Sequence, residues 1–408
     1  MALKLYNTLT GQLEALIPLN KKNVLYYTCG PTVHDYAHIG NFRTFVFQDV
    51  LKRWLEQAGN TVRHVMNITD VDEKTIERAE RKKVSLKSIT TVYERAFFED
   101  MACLNIKKAD VYPRVSDNIE IIADMVKGLH EKGHAIIDEE GSYFFDINSF
   151  ENYGKLSGNF PTRKINALMP REDYKKPKNF LLWKSCKENS AYCFKSSIGS
   201  GIPGWHIECA ALSNKYLGDS IDIHSGGKDL IFPHHENEIA EAESYTGKKF
   251  SFFWVHVEHL IVFGKKMSKS YGNFFTLRQI IKKGYDPRAL RLLYLKTHYR
   301  KELNFDFKSL EQAQNEMSSL IELTEKLNKG ICKGKDDFNT QIKQFKKEFS
   351  QALNNDFRTN EAIKVLFKFM EDVKKSYDDA KLSRKGSKKI LETFDWVNSV
   401  LGLMEECA

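Results

Sequence analysis

The hydrophobic pattern at the start of the chain changes its period twice. Residues 24–27 are a short apolar run rich in β-formers, and a Gly-Pro turn follows them. Apolar side chains then recur at helical spacing over residues 42–55, and a second β-like run occupies residues 61–69 after a Gly-Asn turn. This strand–helix–strand order predicts parallel strands, so we expect an α/β fold with a Rossmann-like, doubly wound parallel sheet.

The same rules predict the elements that follow. A long charged helical region is predicted over about residues 70–104, and a helix that carries His234 and Glu238 is predicted to begin at Pro233. The remaining strands are predicted at residues 135–138, 142–146, 221–224 and 252–262. Beyond residue 286 the pattern is helical throughout, which predicts that the chain ends in an α-helical bundle.

Composition limits the class of protein. The chain has 408 residues, of which 42% are hydrophobic, so its length suits two or three domains with cores of their own. No apolar stretch approaches the roughly 20 residues of a membrane span, and the N-terminus lacks a signal core, so we expect a cytoplasmic protein without a membrane partner. The net charge of +8 suits a polyanion such as RNA but does not identify one.

The seven cysteines are an odd number scattered along the chain, which argues against a disulfide framework and for free thiols or metal ligands. Five of them are interpreted as packing or surface residues: Cys103, Cys186, Cys193, Cys332 and Cys407. Cys29 and Cys209 remain as candidate ligands.

Two positions on a predicted helix strengthen the hypothesis of a metal site. His234 and Glu238 are spaced i and i+4, so their side chains share one helix face and can converge on one ion. With Cys29 and Cys209 they would form a set of two sulfurs, one imidazole and one carboxylate, which suits zinc. Because no C-x-x-C spacing supports this set, buried structural cysteines remain the commoner alternative on the residues alone.

The turn before the first predicted helix is a candidate phosphate site. A helix N-terminus presents unpaired N–H groups and the positive end of its dipole, and Gly40 lets the backbone approach a ligand closely. His38 lies at the same point. Far downstream, residues 266–270 read K-M-S-K-S, a basic segment that taken alone is more often a surface loop.

Several longer segments carry a resemblance to a known family. They are C-G-P-T-V-H-D-Y-A-H-I-G-N at residues 29–41, N-I-T-D-V-D-E-K at 67–74, G-W-H-I-E-C at 204–209, H-S-G-G-K-D-L-I-F-P-H-H-E-N-E at 224–238 and K-M-S-K-S at 266–270. Together and in this order they resemble the cysteinyl-tRNA synthetases, which are class I aminoacyl-tRNA synthetases. The resemblance runs from about residue 5 to about residue 400.

The resemblance implies where ATP binds. The matching positions are His34, His38, Gly40 and Asn41 in the first signature and Lys266, Met267, Ser268, Lys269 and Ser270 in the second. It further implies that His38, Lys266 and Lys269 are catalytic and that Mg²⁺ accompanies the ATP. Asn41 departs from the histidine that commonly ends the first signature, and we expect a mild effect because an amide still donates a hydrogen bond.

The resemblance also implies a zinc ion and a pocket for cysteine. The implied zinc ligands are Cys29, Cys209, His234 and Glu238, and the implied pocket residues are Thr69, Trp205 and His224. Zinc binds a thiolate far better than a hydroxyl, so it would select cysteine over serine where a hydrophobic pocket discriminates weakly. No separate editing domain is expected.

The implied organisation divides the catalytic fold around an insertion. Its parts are the first half of the catalytic domain (residues 1–112), the connective insertion (113–200), the second half with the zinc site and the K-M-S-K-S loop (201–275), a stem-contact linker (276–310) and a tRNA-binding helical bundle (311–408). The C-terminal domain with which such synthetases usually recognise the anticodon is expected to be absent.

The implied reaction is ATP-dependent activation of L-cysteine to cysteinyl adenylate and transfer of the cysteinyl group to tRNA(Cys), by a monomer. Lysines within residues 343–389 are expected to contact the tRNA in part, with a solvated helix face as the alternative. Two other functions stay open. One is a cysteine ligase that transfers activated cysteine to a small amine, like the mycothiol-pathway ligase, and the other is a non-catalytic RNA-binding relative.

Overall fold

The structure, a computed structural model, describes residues 2–158, 179–187, 192–267, 272–330 and 332–407. The strands are β1 (Lys4–Asn7), β2 (Gln12–Ala15), β3 (Asn23–Thr28), β4 (Thr61–Met66), β5 (Ala135–Ile137), β6 (Tyr143–Asp146), β7 (Asn179–Ser185), β8 (Gly201–Pro203), β9 (Ile221–Gly227), β10 (Ser251–Val257), β11 (Leu260–Val262), β12 (Lys265–Lys266) and β13 (Leu303–Phe305). The helices are α1 (Ile39–Gln57), α2 (Glu73–Lys82), α3 (Leu86–Cys103), α4 (Ile119–Glu131), α5 (Trp205–Leu217), α6 (Glu236–Thr246), α7 (Leu277–Lys282), α8 (Pro287–Leu295), α9 (Phe307–Lys329), α10 (Asn339–Asn354), α11 (Thr359–Asp378) and α12 (Arg384–Leu401).

A parallel four-stranded sheet in the order β10-β9-β3-β4 forms the centre of the fold. Successive side chains of β3 point to opposite faces, so Tyr26 joins the core under α1 and Tyr27 joins the core under α5 and α6. Because both faces are covered by helices, β3 reads as an apolar run rather than an alternating one. The prediction of a doubly wound α/β sheet is confirmed.

The inserted region and the last helices surround this sheet. Strands β5 to β8 form an antiparallel sheet in sequence order, and the predicted hairpin pairs Ala135 with Phe145. Helices α9 to α12 form the predicted bundle, whose Phe349 and Leu366 belong to the same continuous core as Phe42 of α1. No helix in the described residues is long and apolar enough to cross a membrane.

The charged helical region predicted over about residues 70–104 consists of two helices, α2 and α3. Lys83 caps α2 in the left-handed conformation with φ 55°, and the side chain of Ser85 accepts a hydrogen bond from the Ser88 N–H at the start of α3. A serine that caps a new helix therefore outweighs the continuous charge pattern.

The run predicted as one strand over residues 252–262 is also divided. Strand β10 belongs to the central sheet, whereas β11 pairs with β12 and β13 in another sheet. The chain changes direction where the Glu258 N–H donates to the Tyr299 carbonyl. Because β13 follows α8, the prediction that the chain is helical throughout beyond residue 286 is wrong at Leu303–Phe305.

Helix α6 begins at Glu236 rather than at Pro233. Phe232 is extended, and residues Ile231–His235 form a wide π-helical turn in front of α6. His234 lies in this turn, two residues before the start of α6, and its Nε2 is 2.9 Å from Glu238 Oε1. The shared face expected from the i, i+4 spacing is therefore kept.

The interpretation of the cysteines is corrected at four positions. Cys103 forms a disulfide with Cys407, and Cys186 forms one with Cys193. The first pair is separated by 304 residues, and it meets because the chain after α12 folds back onto the end of α3, where the Asn105 amide donates to the Gly402 carbonyl. Cys29, Cys209 and the half-buried Cys332 are free thiols.

Candidate active site and metal centre

A cavity of about 510 Å³ opens at the carboxyl ends of β3 and β9. In a parallel sheet this edge is where ligands bind, because the loops between strands and helices converge there. Eight of the sequence-predicted site residues line it: Cys29, His34, His38, Gly40, Asn41, Trp205, Lys266 and Met267.

The N-terminus of α1 is closed by a reciprocal cap. The His38 N–H donates to Asn41 Oδ1 at 3.1 Å, and the Asn41 N–H donates to His38 Nδ1 at 3.2 Å. Asn41 is thus the N3 partner of a capping box, a role that the sequence reasoning missed although the His-x-x-Asn spacing carries the signal. The first turn of α1 has no acidic side chain, so its dipole favours an anion in the cavity.

The fold brings the two signature segments together. The Ile39 N–H donates to the Phe275 carbonyl at 2.9 Å, and the rings of His38 and Phe274 lie 5.3 Å apart. A Cβ atom on Gly40 would lie 3.1 Å from Met267 Cε. Lys266 ends β12 at the cavity, whereas the predicted residues Ser268, Lys269 and Ser270 lie outside the described residues.

The four predicted metal ligands converge below this cavity. Cys29 follows β3, Cys209 lies in α5, and His234 and Glu238 belong to the π turn and α6. Their ligand atoms all lie within 4.8 Å of one another. His234 Nε2 is 2.9 Å from Glu238 Oε1, and the two cysteine sulfurs are 3.9 Å apart. A buried set of soft and hard donors of this kind fits zinc.

Further histidines surround the four donors. His206 Nδ1 and His234 Nδ1 lie 2.9 Å apart, which leaves His234 Nε2 for the centre of the cluster. His235 Nε2 lies 3.3 Å from the Cys29 sulfur, and a second donor set of Cys29, His224, His235 and Glu238 shares two members with the first. The sequence analysis did not include His235 among the candidate ligands, although the adjacent pair of histidines is a signal for it.

The charges of the buried groups favour a cation at the centre. Burial opposes the charged form of Glu238, but His224 and His234 outweigh it and hold the pKa of this carboxyl well below its usual range. Burial likewise opposes protonation of His234, but Glu238 and Cys209 raise its pKa to about 10. A metal ion would replace this proton, since ligands bind a metal in their deprotonated forms.

The residues predicted for the cysteine pocket are placed differently from one another. Trp205 lines the cavity with 41% of its surface exposed, and its ring stacks on His234 at 4.3 Å. Thr69 is buried and donates to Glu208 Oε2 at 3.1 Å. His224 is buried against Trp254, and its Nε2 lies 2.7 Å from Glu238 Oε2. In this structure His224 therefore orients the candidate ligand Glu238, and only Trp205 of the three lines the open cavity.

Comparison with known proteins places this site in a family. Residues 15–315 match the family model "tRNA synthetases class I (C) catalytic domain", and residues 348–405 match the DALR domain. The cysteine–tRNA ligase of Koribacter versatilis is 42% identical over 411 residues, which cover 100% of this chain and 83% of the relative. That of Chlamydia pneumoniae is 41% identical over 407 residues, which cover 98% of this chain and 86% of the relative.

Solved structures agree at the level of the fold. Methionyl-tRNA synthetase of Mycobacterium tuberculosis in complex with methionyl-adenylate has a TM-score of 0.69 at 13% identity, over 93% of this chain and 90% of that one. A leucyl enzyme of Agrobacterium radiobacter K84 in a ternary complex with tRNA has a TM-score of 0.67 at 11% identity, over 95% of this chain and 85% of that one. The family match and the full-length relatives together show that the chain belongs to the cysteine–tRNA ligases, a family of class I aminoacyl-tRNA synthetases.

Proposed function

We propose that this enzyme activates L-cysteine with ATP to form cysteinyl adenylate and then transfers the cysteinyl group to tRNA(Cys). The observation that carries the proposal is the position of a buried two-cysteine, histidine and glutamate cluster directly beside a cavity lined by both signature segments. The cluster suits recognition of a thiol, and the cavity suits a nucleoside triphosphate.

In the first step the cysteine carboxylate attacks the α-phosphorus of ATP. A P–O bond forms between the carboxylate oxygen and the α-phosphorus, the bond from the α-phosphorus to the oxygen bridging to the β-phosphate breaks, and pyrophosphate leaves. Negative charge develops on the phosphate oxygens, so positioned donors and cations lower the barrier. We assign this role to His38, the N-terminus of α1 and Lys266, with Lys269 as the second lysine of the loop.

Selection of cysteine is assigned to the metal cluster. Cys29, Cys209, His234 and Glu238 would hold one zinc ion, which supplies a Lewis acid that favours a substrate thiolate over a serine hydroxyl. Trp205 provides the wall between this centre and the nucleotide cavity. His206 and His224 fix the orientation of the His234 and Glu238 side chains.

The second step needs the terminal ribose of tRNA at the same cavity. We assign tRNA contacts to the helical bundle, where residues such as Lys343, Lys364 and Lys374 are exposed. We also propose that the parts of the chain described from the sequence, with boundaries at residues 112, 200, 275 and 310, are its functional domains. We further propose a monomer that works in the cytoplasm.

The test is cysteine-dependent pyrophosphate exchange, followed by transfer of labelled cysteine to tRNA(Cys) and, in parallel, to an amino-sugar acceptor. Exchange with charging of tRNA and an unlabelled sugar is the expected result. Labelling of the sugar without charging would instead identify a small-amine ligase. Exchange at background, with tRNA still bound, would identify a non-catalytic RNA-binding relative.

A further inference from the structure

The side chain of Arg43 holds together two segments that are distant in the sequence. It lies on α1, five positions after His38, and it is only 3% exposed. Its Nη1 donates to the carbonyls of Glu258 at 2.7 Å and His259 at 2.5 Å. Its Nη2 donates to the carbonyls of His298, at 3.3 Å, and Lys301. One guanidinium thus contacts four main-chain oxygens.

The first of these segments forms part of the nucleotide cavity. Residues 257–260 line it together with His38 and Lys266. Val257 ends β10 and Leu260 begins β11, whereas Glu258 and His259 between them belong to neither strand, so the position of this turn depends on hydrogen bonds from outside it. The Glu258 N–H donates to the Tyr299 carbonyl at 2.8 Å, and Arg43 fixes the two carbonyls that follow β10.

The second segment, residues 298–301, contacts the helical bundle. Asp356 lies in the connection between α10 and α11 and is only 2% exposed. Its carboxylate accepts from the Tyr299 hydroxyl at 2.7 Å and from Arg300 Nε at 2.9 Å, and its carbonyl lies 3.0 Å from His298 Nε2. The segment 298–301 is therefore bound to Arg43 on one side and to the bundle on the other.

We infer that Arg43 is a positioning residue for ATP, which sets residues 257–260 at the nucleotide cavity and links them, through segment 298–301, to the docking of the bundle at Asp356. Arg43 itself does not need to touch the nucleotide. Its guanidinium has a forked geometry that a lysine lacks, so Arg43→Lys keeps the charge and loses most of the four contacts. The inference rests on the proposed function for the identity of the ligand.

The first experiment measures KM values for ATP and cysteine by pyrophosphate exchange, together with ATP affinity by calorimetry, zinc content and thermal stability. For Arg43→Lys we expect the KM and Kd for ATP to rise about tenfold, because charge-assisted hydrogen bonds are lost, while the KM for cysteine and the zinc content stay within about twofold. The matched control is Arg53→Lys, on the same helix. Arg53 is 6% exposed and also donates to main-chain carbonyls, those of Asn105 and Ser399, but none of these three residues lines the cavity.

A purely structural role for Arg43 would give a different pattern. In that case both variants would lose thermal stability and neither, or both equally, would change the affinity for ATP, which would overturn the inference. A wild-type enzyme that binds ATP without exchanging pyrophosphate would instead contradict the proposed function. The calorimetric comparison would still decide the role of Arg43.

The link to the bundle is tested by a double-mutant cycle with Asp356→Asn. If the two residues act through one segment, Asp356→Asn raises the KM for ATP about threefold, and the double variant shows less than the product of the single effects. Asp337→Asn, an acid of the bundle that pairs with Ser383 and Lys385, is the control and should leave the KM unchanged. If the effects of the Arg43 and Asp356 variants on the KM for ATP multiply, the two residues act independently, and docking of the bundle does not help to position residues 257–260.

Discussion

At the scale of single residues, spacing predicted half of the candidate metal centre. The i, i+4 relation of His234 and Glu238 predicts a shared face, and the structure shows their ligand atoms 2.9 Å apart. Nothing in the spacing of Cys29 and Cys209 shows that they meet, because that depends on β3 and α5 lying side by side. For those two positions the family resemblance supplied the prediction.

The cluster makes a prediction about zinc content. Cys209→Ser replaces a thiolate with a hydroxyl that binds zinc poorly, so the purified variant is expected to contain much less zinc than the wild type. Metal analysis of the two proteins after extensive dialysis measures this. Cys332→Ser is the matched control because Cys332 is a free cysteine outside the cluster. Equal zinc in all three proteins would contradict the assignment of Cys209.

The buried side chain of His64 predicts a loss of stability in acid. Burial lowers its pKa to about 3, and its Nδ1 has no hydrogen-bond partner within the described part of the chain. An unfolded histidine has a pKa of about 6.5, so below about pH 6.5 the unfolded chain binds a proton that the folded chain refuses. The free energy of unfolding therefore falls as the pH decreases, by about 2 kcal/mol from this group at about pH 5.

Urea unfolding of the wild type and His64→Gln between about pH 5 and pH 8 checks this prediction. The variant keeps a polar partner for the Thr28 hydroxyl, which lies 2.9 Å from His64 Nε2, but it cannot titrate. A lower stability at every pH with a flatter pH dependence is expected. An unchanged slope would show that other groups cause the acid sensitivity.

At the scale of elements, the presence of a helix or strand was easier to predict than the residues at which it begins and ends. The pattern of residues 24–69 gave β3, α1 and β4 because each follows a single period. The break between α2 and α3 was missed because it depends on one left-handed residue, Lys83, and one capping side chain, Ser85. The division of residues 252–262 was missed because β10 and β11 are both largely apolar, and their pairing with different strands cannot be read from the sequence.

The N-terminus of α1 allows a prediction that separates activity from stability. A Cβ at Gly40 would lie 2.9 Å from His38 Nδ1 and 3.1 Å from Met267 Cε. In Gly40→Ala, the His38 ring and the end of the Met267 side chain must shift, so pyrophosphate exchange should fall at least about tenfold. Because alanine favours a helix over glycine by about 0.5–1 kcal/mol, thermal stability should not fall with the activity. Zinc content is the control, and equal losses of stability and activity would contradict this explanation.

At the scale of the whole molecule, buried charges join the bundle to the sheet. Asp49 of α1 is 3% exposed and forms ion pairs with Arg53, at 2.9 Å, and with Arg291 of α8. Arg291 Nε also donates to the Leu401 carbonyl at the end of α12, at 2.7 Å. The sequence did not predict this arrangement, since Asp49 and Leu401 lie 352 positions apart and are brought together only when the last helix packs against the first.

The last prediction is that this network is required for stability and that bundle and sheet unfold together. Asp49→Ala leaves two buried guanidinium groups without their carboxylate, so a loss of about 3–5 kcal/mol in the free energy of unfolding is expected. The control is Glu325→Ala, whose pair with Lys329 is 60% and 78% exposed and should change stability by about 0.5 kcal/mol or less. Urea unfolding, followed by far-ultraviolet circular dichroism and by tryptophan fluorescence, measures the free energy of unfolding of each variant.

The same data test whether bundle and sheet unfold together. Since one continuous core contains residues of α1 and of the bundle, the two signals should change at the same urea concentration as each other within each of the three proteins. Separate transitions in the wild type would show that the shared core does not make the two parts one cooperative unit.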